Sequence, residues 1–493
     1  MQLTVSNTLT GNEEPFEPAD DDAVTLYYCG LTVSDDAHLG HARSWVHTDV
    51  IHRWLAYSGY TVRHIENFTD VNEKIVARVG EHGEDEKAVS RHFIEQVITD
   101  MRSLNLKRVA VYPRVTEHIS DIIDLVERLI DRGHAYEVNG SVYFDVASFP
   151  AYGALSNPKL EDMEQQEEGS GEKRQPADFA LWKAGSVDEA TIETHQHGDD
   201  SDPGHAASGA MTFSSPWGEG RPGWHIECSA MATTHLGDTF DIHVAGRDIK
   251  FPHNENEIAQ AVAATDGEYA RYWLHTGLLR TDGEKMSSSL QNFFRVRDAI
   301  ERFGPNILRM FFLSSVYHAD QTFSDAAMEE ATERWERLDG TYRRASAAID
   351  SPDATSKAPD HMLRDAVNET RAAVMEAMND NFNTREALAS LLTCVSTINS
   401  HLDAGAPYDY QGLHEAIQLF EEIGEDVFGL HFGGTTTGTV ELTEELVELL
   451  IAIREEERAA GNYDRADALR DDLRSIGVHL EDTDNGVTYR FDT

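Results

Sequence analysis

The run Ala23-Val24-Thr25-Leu26-Tyr27-Tyr28 is apolar throughout and does not alternate, so it reads as a strand buried on both faces. Such a strand needs a layer on each side. The following segment offers one: Trp45, Val46, Val50, Ile51, Trp54 and Leu55 recur at helical spacing between His41 and Tyr57. Gly59 ends that helix, and Thr61-Val62-Arg63-His64-Ile65 reads as a second strand. Strand, helix and strand in this order predict a parallel βαβ unit and a doubly wound α/β domain.

The chain has 493 residues, room for roughly three to five units. Residues 116–220 read as an insertion. Ile119 to Ile130 is helical in pattern, Ser141 to Val146 is a strand, and Glu161 to Gly171 and Asp188 to Gly209 are expected as exposed acidic loops. The α/β pattern resumes at Trp224, with Phe240-Asp241-Ile242-His243-Val244 as a strand. Pro252 is expected at the first position of a helix reaching about Ala264. Beyond Phe294 helices dominate. Ala327 to Ala348 and His361 to Met378 are amphipathic, with Ser351 to Pro359 as a linker. Gly433 to Thr439 reads as a second linker. Helices Glu444 to Ala460 and Tyr463 to Ser475 follow, then a hairpin of Val478-His479-Leu480 and Val487-Thr488-Tyr489-Arg490.

No apolar run is long enough to span a bilayer, and Met1-Gln2-Leu3-Thr4 does not open a signal peptide. Three scattered cysteines make no disulfide framework, so a reducing, cytoplasmic setting without membrane attachment is expected. The net charge of -47 argues, on its own, against a nucleic-acid partner. A very salty cytoplasm offers a second reading, which the low lysine content fits. Near 1 M salt the Debye length is roughly 3 Å, and phosphate binding would rest on short-range hydrogen bonds.

Three groups of residues carry chemistry. His38-Leu39-Gly40-His41 lies where a strand passes into a helix, whose free N–H groups and dipole attract anions. Gly40 allows a nucleotide to come close, and two imidazoles can donate to a phosphate whose charge grows during displacement. Lys285-Met286-Ser287-Ser288-Ser289 follows the turn Asp282-Gly283 and offers an ammonium, hydroxyls and backbone N–H groups to pyrophosphate. The third set is Cys29, Cys228, His253 and Glu257, all side-chain types that bind zinc. Two inert thiols with a surface histidine and glutamate, or a purely structural zinc, are the alternatives. His195, His197 and His205 sit in the expected acidic loop and are not read as a metal site. Cys394 lies in an apolar helical run and reads as a core thiol.

Together these stretches resemble the cysteinyl-tRNA synthetase family of class I aminoacyl-tRNA synthetases. The likeness is carried by Tyr28-Cys29-Gly30-Leu31-Thr32-Val33, His38-Leu39-Gly40-His41, Asn67-Phe68-Thr69-Asp70, Arg221 to Met231, Phe251 to Glu257 and Lys285-Met286-Ser287. It continues to Ala466-Asp467-Ala468-Leu469-Arg470-Asp471. The Arg221 to Met231 stretch is the family-specific part, whereas H-x-G-H marks only the superfamily. The resemblance implies a Rossmann-type catalytic domain, halves 1–115 and 221–280, interrupted by a connective insertion at 116–220. A signature-loop and stem-contact region at 281–325, a helical tRNA-binding bundle at 326–432 and an anticodon-binding unit at 440–493 would follow.

It further implies that Cys29, Cys228, His253 and Glu257 hold one Zn²⁺ that binds the substrate thiolate, with Cys29, Thr69 and Trp224 around the amino acid. ATP with Mg²⁺ would meet His38, Gly40, His41, Gly246, Asp248, Lys285, Ser287 and Ser288, with His38, His41 and Lys285 catalytic. L-cysteine, ATP and tRNA(Cys) are the implied partners, and a monomer is expected. Ser288 stands where the family has a second lysine, Val244 and Ala245 where glycines precede Gly246, Asn254 where a histidine is usual and Gln291 where a glycine is. A ligase passing cysteine to a small amine, and a zinc-bound RNA-binding protein with a decayed nucleotide site, are the competing readings.

Overall fold

Strand β1 (Ala23–Tyr28) leads into helix α1 (Leu39–Tyr57), and the chain returns as β2 (Thr61–Glu66). After a long insertion come α2 (Trp224–Leu236), β3 (Thr239–Gly246), α3 (Glu255–Thr265) and β4 (Tyr269–Thr276). The four strands form one sheet in the order β4-β3-β1-β2, all parallel, with His243 of β3 opposite Tyr27 on one side and Trp273 on the other. Leu26, Tyr28, Ile242, Val244 and Leu274 face a core shared with α1. Tyr27, Cys29, Ala245 and Trp273 face a second core shared with α2 and α3. Burial on both faces is why these strands read as unbroken apolar runs. This computed structural model describes residues 2–157, 172–195, 211–265, 267–281, 284–285, 294–357 and 359–433, and then 447, 449–454, 457–458, 462–475, 478–483 and 486–491.

The insertion has its own antiparallel sheet, Ala135–Val138, Ser141–Phe144, Phe179–Ala184, Gly218–Pro222 and Phe213–Ser215 in spatial order. Helix Ile119–Asp131 shares a core with it through Ile122, Leu125 and Leu129. Its strand Gly218–Pro222 runs through Gly223 straight into α2, so the insertion is joined rigidly to the helix that carries Cys228.

Helices Asp325–Ile349, His361–Asn379, Thr384–Asp403 and Tyr410–Leu419 pack around Leu338, Val367, Leu391 and Leu413, with Cys394 buried among them. Two residues of the expected linker, Ala354–Thr355, pair with Tyr408–Asp409. The chain divides into units Met1–Phe432 and Gly433–Thr493. In the second, helix Tyr463–Ser475 and the antiparallel strands Val478–Thr483 and Gly486–Phe491 enclose Val447, Leu473, Val478 and Leu480. Most of the Gly433 to Thr439 linker lies outside the described residues, as does Glu161 to Gly171.

One expectation fails. The segment Asp188 to Gly209 is not loop throughout: Glu189–His195 is a helix whose Ile192 packs on Val76, Ala77 and Val187, and Asp188 accepts hydrogen bonds from Thr191 at 2.8 and 3.0 Å. A single apolar side chain with a cap suffices to dock so short a helix, and composition conceals that. Pro252 opens the helical run, as expected: Phe251 is extended (φ -131°, ψ 135°), and the chain from Pro252 makes one wide turn that continues into α3. The pyrrolidine ring pushes the residue before it out of the helical region, which leaves proline at the first helical position.

One buried carboxylate ties the catalytic half to the helices beyond it. Asp49 of α1 takes Arg309 Nη2 at 2.6 Å, Arg53 Nε at 2.8 Å and the Lys107 N–H at 2.8 Å. Arg309 also donates to the Phe428 and Leu104 carbonyls, and Arg53 to those of Glu425, Asp426 and Asn105. Burial alone would raise the Asp49 carboxyl, but the two guanidiniums and the Lys107 N–H hold it below its ordinary value. Asp49→Ala would leave two buried cations uncompensated, and a loss of about 3–5 kcal/mol in chemical denaturation at neutral pH is expected. A loss below about 1 kcal/mol would refute this role. Because the folded carboxyl is depressed, its contribution is present above the unfolded value near 3.9 and disappears as pH falls through the folded one.

Candidate active site and metal centre

Cys29 directly follows β1, Cys228 lies near the start of α2, and His253 and Glu257 flank the entry to α3. Their ligand atoms all lie within 4.8 Å of one another, and all four side chains are buried. Cys29 Sγ is 3.7 Å from Cys228 Sγ and 3.4 Å from His253 Nε2, and His253 Nε2 is 3.2 Å from Glu257 Oε1. A tetrahedron with Zn–S near 2.3 Å and Zn–N or Zn–O near 2.1 Å has S···S edges of about 3.8 Å, S···N edges of about 3.6 Å and N···O edges of about 3.4 Å. The donor set and its spacing therefore fit a zinc ion. Contact with Cys29 and burial push the Cys228 thiol well above its usual pKa. The Cys228 contact lowers Cys29, but burial and Glu257 outweigh it and raise that thiol too. A metal binding here would have to displace both protons.

A shell of polar side chains orients these groups. His225 Nδ1 lies 2.9 Å from His253 Nδ1, which turns the His253 Nε2 edge toward the thiols. Asn67 Oδ1 accepts from Gly30 N at 2.9 Å and from the Tyr27 hydroxyl at 3.0 Å, and so fixes the turn that presents Cys29. Asn254 donates to Glu257 Oε1 at 2.8 Å and shares its own Oδ1 with His275 Nε2 at 3.1 Å. Asn254 is thus a fully buried holder of a candidate ligand. For Glu257 burial opposes ionisation, but His243, His253 and Asn254 keep its carboxyl below the ordinary value.

The same cavity, about 620 Å³ in volume, reaches from the cysteines to the first turn of α1. It is lined by Cys29, Thr69, Trp224, Cys228, Gly246, Asp248 and His253, and by His38, Gly40 and His41. His38 caps α1: its Nδ1 accepts from the Gly40 N–H at 3.1 Å, and His41 Nδ1 accepts from the His38 N–H at 3.3 Å. Both rings therefore carry their proton on Nε2 and stack at a centroid distance of 3.8 Å. A Cβ on Gly40 would meet the His38 ring at 2.8 Å, so only glycine lets the ring fold back over the helix start. Gly246 ends β3, and a Cβ there would meet Asp248 Oδ1 at 2.6 Å. Trp224 packs on His253 with centroids 4.5 Å apart. Val244 and Ala245 point into the two cores and do not line the cavity.

The signature loop is described only at its flanks. The backbone of Glu284–Lys285 pairs with Leu279–Thr281, while Met286, Ser287, Ser288, Ser289 and Gln291 lie outside the described residues. On the far side Val296 N donates to Ala37 O at 2.9 Å and Leu39 N to Phe294 O at 3.0 Å. The two flanks thus reach the sheet end and the H-x-G-H turn. Thr194 and His195, on the unforeseen helix, also reach the cavity, whereas His197 and His205 lie outside the described residues. Reading the sequence missed His243 and Tyr269, which both touch Glu257. A histidine amid the apolar residues of a buried strand was the available signal for the first, and nothing local marked the second.

Comparison with known proteins agrees with this geometry. Residues 15–333 match the family described as tRNA synthetases class I (C) catalytic domain, residues 373–433 the DALR domain, and residues 439–490 the cysteinyl-tRNA ligase anticodon binding domain. A cysteine–tRNA ligase of Haloarcula marismortui is 58% identical over 99% of this chain and 100% of its own length. One of Halobacterium salinarum is 54% identical over the same shares. Among solved structures, methionyl-tRNA synthetase of Mycobacterium tuberculosis with methionyl-adenylate aligns at TM-score 0.55 and 16% identity, covering 82% of this chain and 89% of that one. LeuRS of Agrobacterium radiobacter, in a ternary complex, aligns at 0.57 and 12% over 84% and 85%. These two show the fold alone. Full-length identity and three successive domain matches place the chain in the cysteine–tRNA ligase family, among the class I aminoacyl-tRNA synthetases.

Proposed function

We propose that the chain activates L-cysteine with ATP·Mg²⁺ and passes it to the 3′ end of tRNA(Cys), acting as a monomer in the cytoplasm. The observation that carries this reading is the shared cavity, which has a soft-metal donor set at one end and a histidine-capped helix start at the other. The amino acid's carboxylate attacks the α-phosphorus, pyrophosphate leaves, and a ribose hydroxyl of the tRNA then takes the acyl group and releases AMP. Gly40 and the start of α1 admit the phosphates, and the Nε2–H edges of His38 and His41 donate to the α-phosphate as its charge grows. Lys285, with Ser287 and Ser288, meets the leaving pyrophosphate. Gly246 and Asp248 receive the ribose, while Thr69 and Trp224 border the amino acid.

Zn²⁺ held by Cys29, Cys228, His253 and Glu257 would supply a soft Lewis acid that favours a thiolate over serine's hydroxyl. Such preference for sulfur gives discrimination without a second, editing site. The matches at 373–433 and 439–490 support tRNA as acceptor over a small amine. No helix among the described residues is long and apolar enough to cross a membrane.

Cys228→Ser should lower bound zinc and raise the KM for cysteine by at least about tenfold in cysteine-dependent pyrophosphate exchange. Unchanged zinc content and KM would remove Cys228 from the ligand set. His41→Ala should slow adenylate formation by roughly 10²–10³-fold with little change in the KM for cysteine. An equal loss in both would count against a transition-state role. Salt should act through the -47 charge: going from about 0.1 M to 1 M shortens the Debye length from about 10 to 3 Å and should raise the melting temperature. A melting temperature that falls over that range would contradict salt adaptation.

A further inference from the structure

The two oxygens of Glu257 have different surroundings. Oε1 faces His253 Nε2 at 3.2 Å and accepts from Asn254 Nδ2 at 2.8 Å. Oε2 accepts from the Tyr269 hydroxyl at 2.9 Å and from His243 Nε2 at 2.9 Å. Glu257, Tyr269 and His243 are all fully buried. His243 Nδ1 has no hydrogen-bond partner among the described residues, so the proton belongs on Nε2, the nitrogen that faces the carboxylate. The imidazole is held in that orientation by stacking on Trp273, with centroids 4.1 Å apart and planes 18° off parallel.

Tyr269 is the first residue of β4, pairs with Thr239 and follows the short connection from α3, which ends at Thr265. Its backbone adopts φ +63° as the chain turns into the strand, and from there its hydroxyl reaches Oε2.

We propose that Tyr269 and His243 are positioning residues that occupy Oε2 and so confine Glu257 to binding through Oε1 alone. Two donors fill the outer oxygen's hydrogen-bonding capacity, and a carboxylate held in this way cannot swing to bind through both oxygens. One coordination position on the cavity side then stays open for the incoming thiol of the substrate. This inference rests on the metal reading given above.

The test uses the full-length protein loaded with Zn²⁺ or with Co²⁺, whose d–d absorption weakens as coordination number rises. Tyr269→Phe removes one oxygen and keeps the ring. It should still bind one ion, but with weaker cobalt d–d bands, zinc affinity lowered about 10–100-fold, and a raised KM for cysteine at an unchanged KM for ATP. His243→Leu should behave alike, and His243→Gln, which keeps an N–H at the same reach, should restore the unsubstituted spectrum. An unaltered cobalt spectrum and zinc affinity in folded Tyr269→Phe would overturn the proposal. Should that variant not fold, His243→Leu and His243→Gln decide by the same readouts, and identical spectra for the two would overturn it. Failure of the unsubstituted protein to bind any ion would instead overturn the metal reading, a separate and recognisable result.

Discussion

Parallel pairing of β3 between β1 and β4 is the constraint on which the site depends. With His243 opposite both Tyr27 and Trp273, the strand ends come level. Cys29, one residue past β1, and Gly246, at the end of β3, then open onto a common crevice. The helix starts that follow these strands point their N–H groups at the same place, as in other open α/β sheets. A shift of β1 by one residue in this register would turn Tyr27 and Cys29 toward α1 and bring Leu26 and Tyr28 to the side of His243. The site is thus a consequence of sheet register before it is a consequence of any single ligand.

Around that frame two buried carboxylates are ringed by donors. Asp49 has two arginines and a backbone N–H, and Glu257 has Asn254, Tyr269 and two imidazoles. Arg43 makes the complementary case. Fully buried, it donates to the carbonyls of Gly277, Val316 and Ala319 and to Gln321, and burial lowers it to about 10 against the pull of Asp320. The Asp49 and Arg43 networks lie on α1, which is buried nearly all round. That helix is gripped by the sheet on one side and by the helices after Gly304 on the other.

Much of this was legible in the chain because the signals were local. The apolar run at β1, the helical period of α1 and the cluster at His38-Leu39-Gly40-His41 each reflect interactions within a few residues. What escaped was set by distance. Glu257 is oriented by His243 and Tyr269, which come from neighbouring strands, and no periodicity reports which side chains meet across a parallel ladder. Asn254 read as a departure from a family pattern, and only packing reveals it as a hydrogen-bond partner of Glu257. Ile192 was hidden for a compositional reason: one apolar contact in an acidic stretch looks like loop. The helical start at Pro252 was legible because proline's effect on its predecessor is local.

The ligand candidates are spread from residue 29 to residue 257, and the whole insertion is threaded between the first and the second. A ribosome-bound chain that ends short of His253 therefore carries one thiol, or two, with no imidazole or carboxylate of the set to complete the cage. Any ion held by these four groups could be captured only late in biosynthesis, once residue 257 has been added.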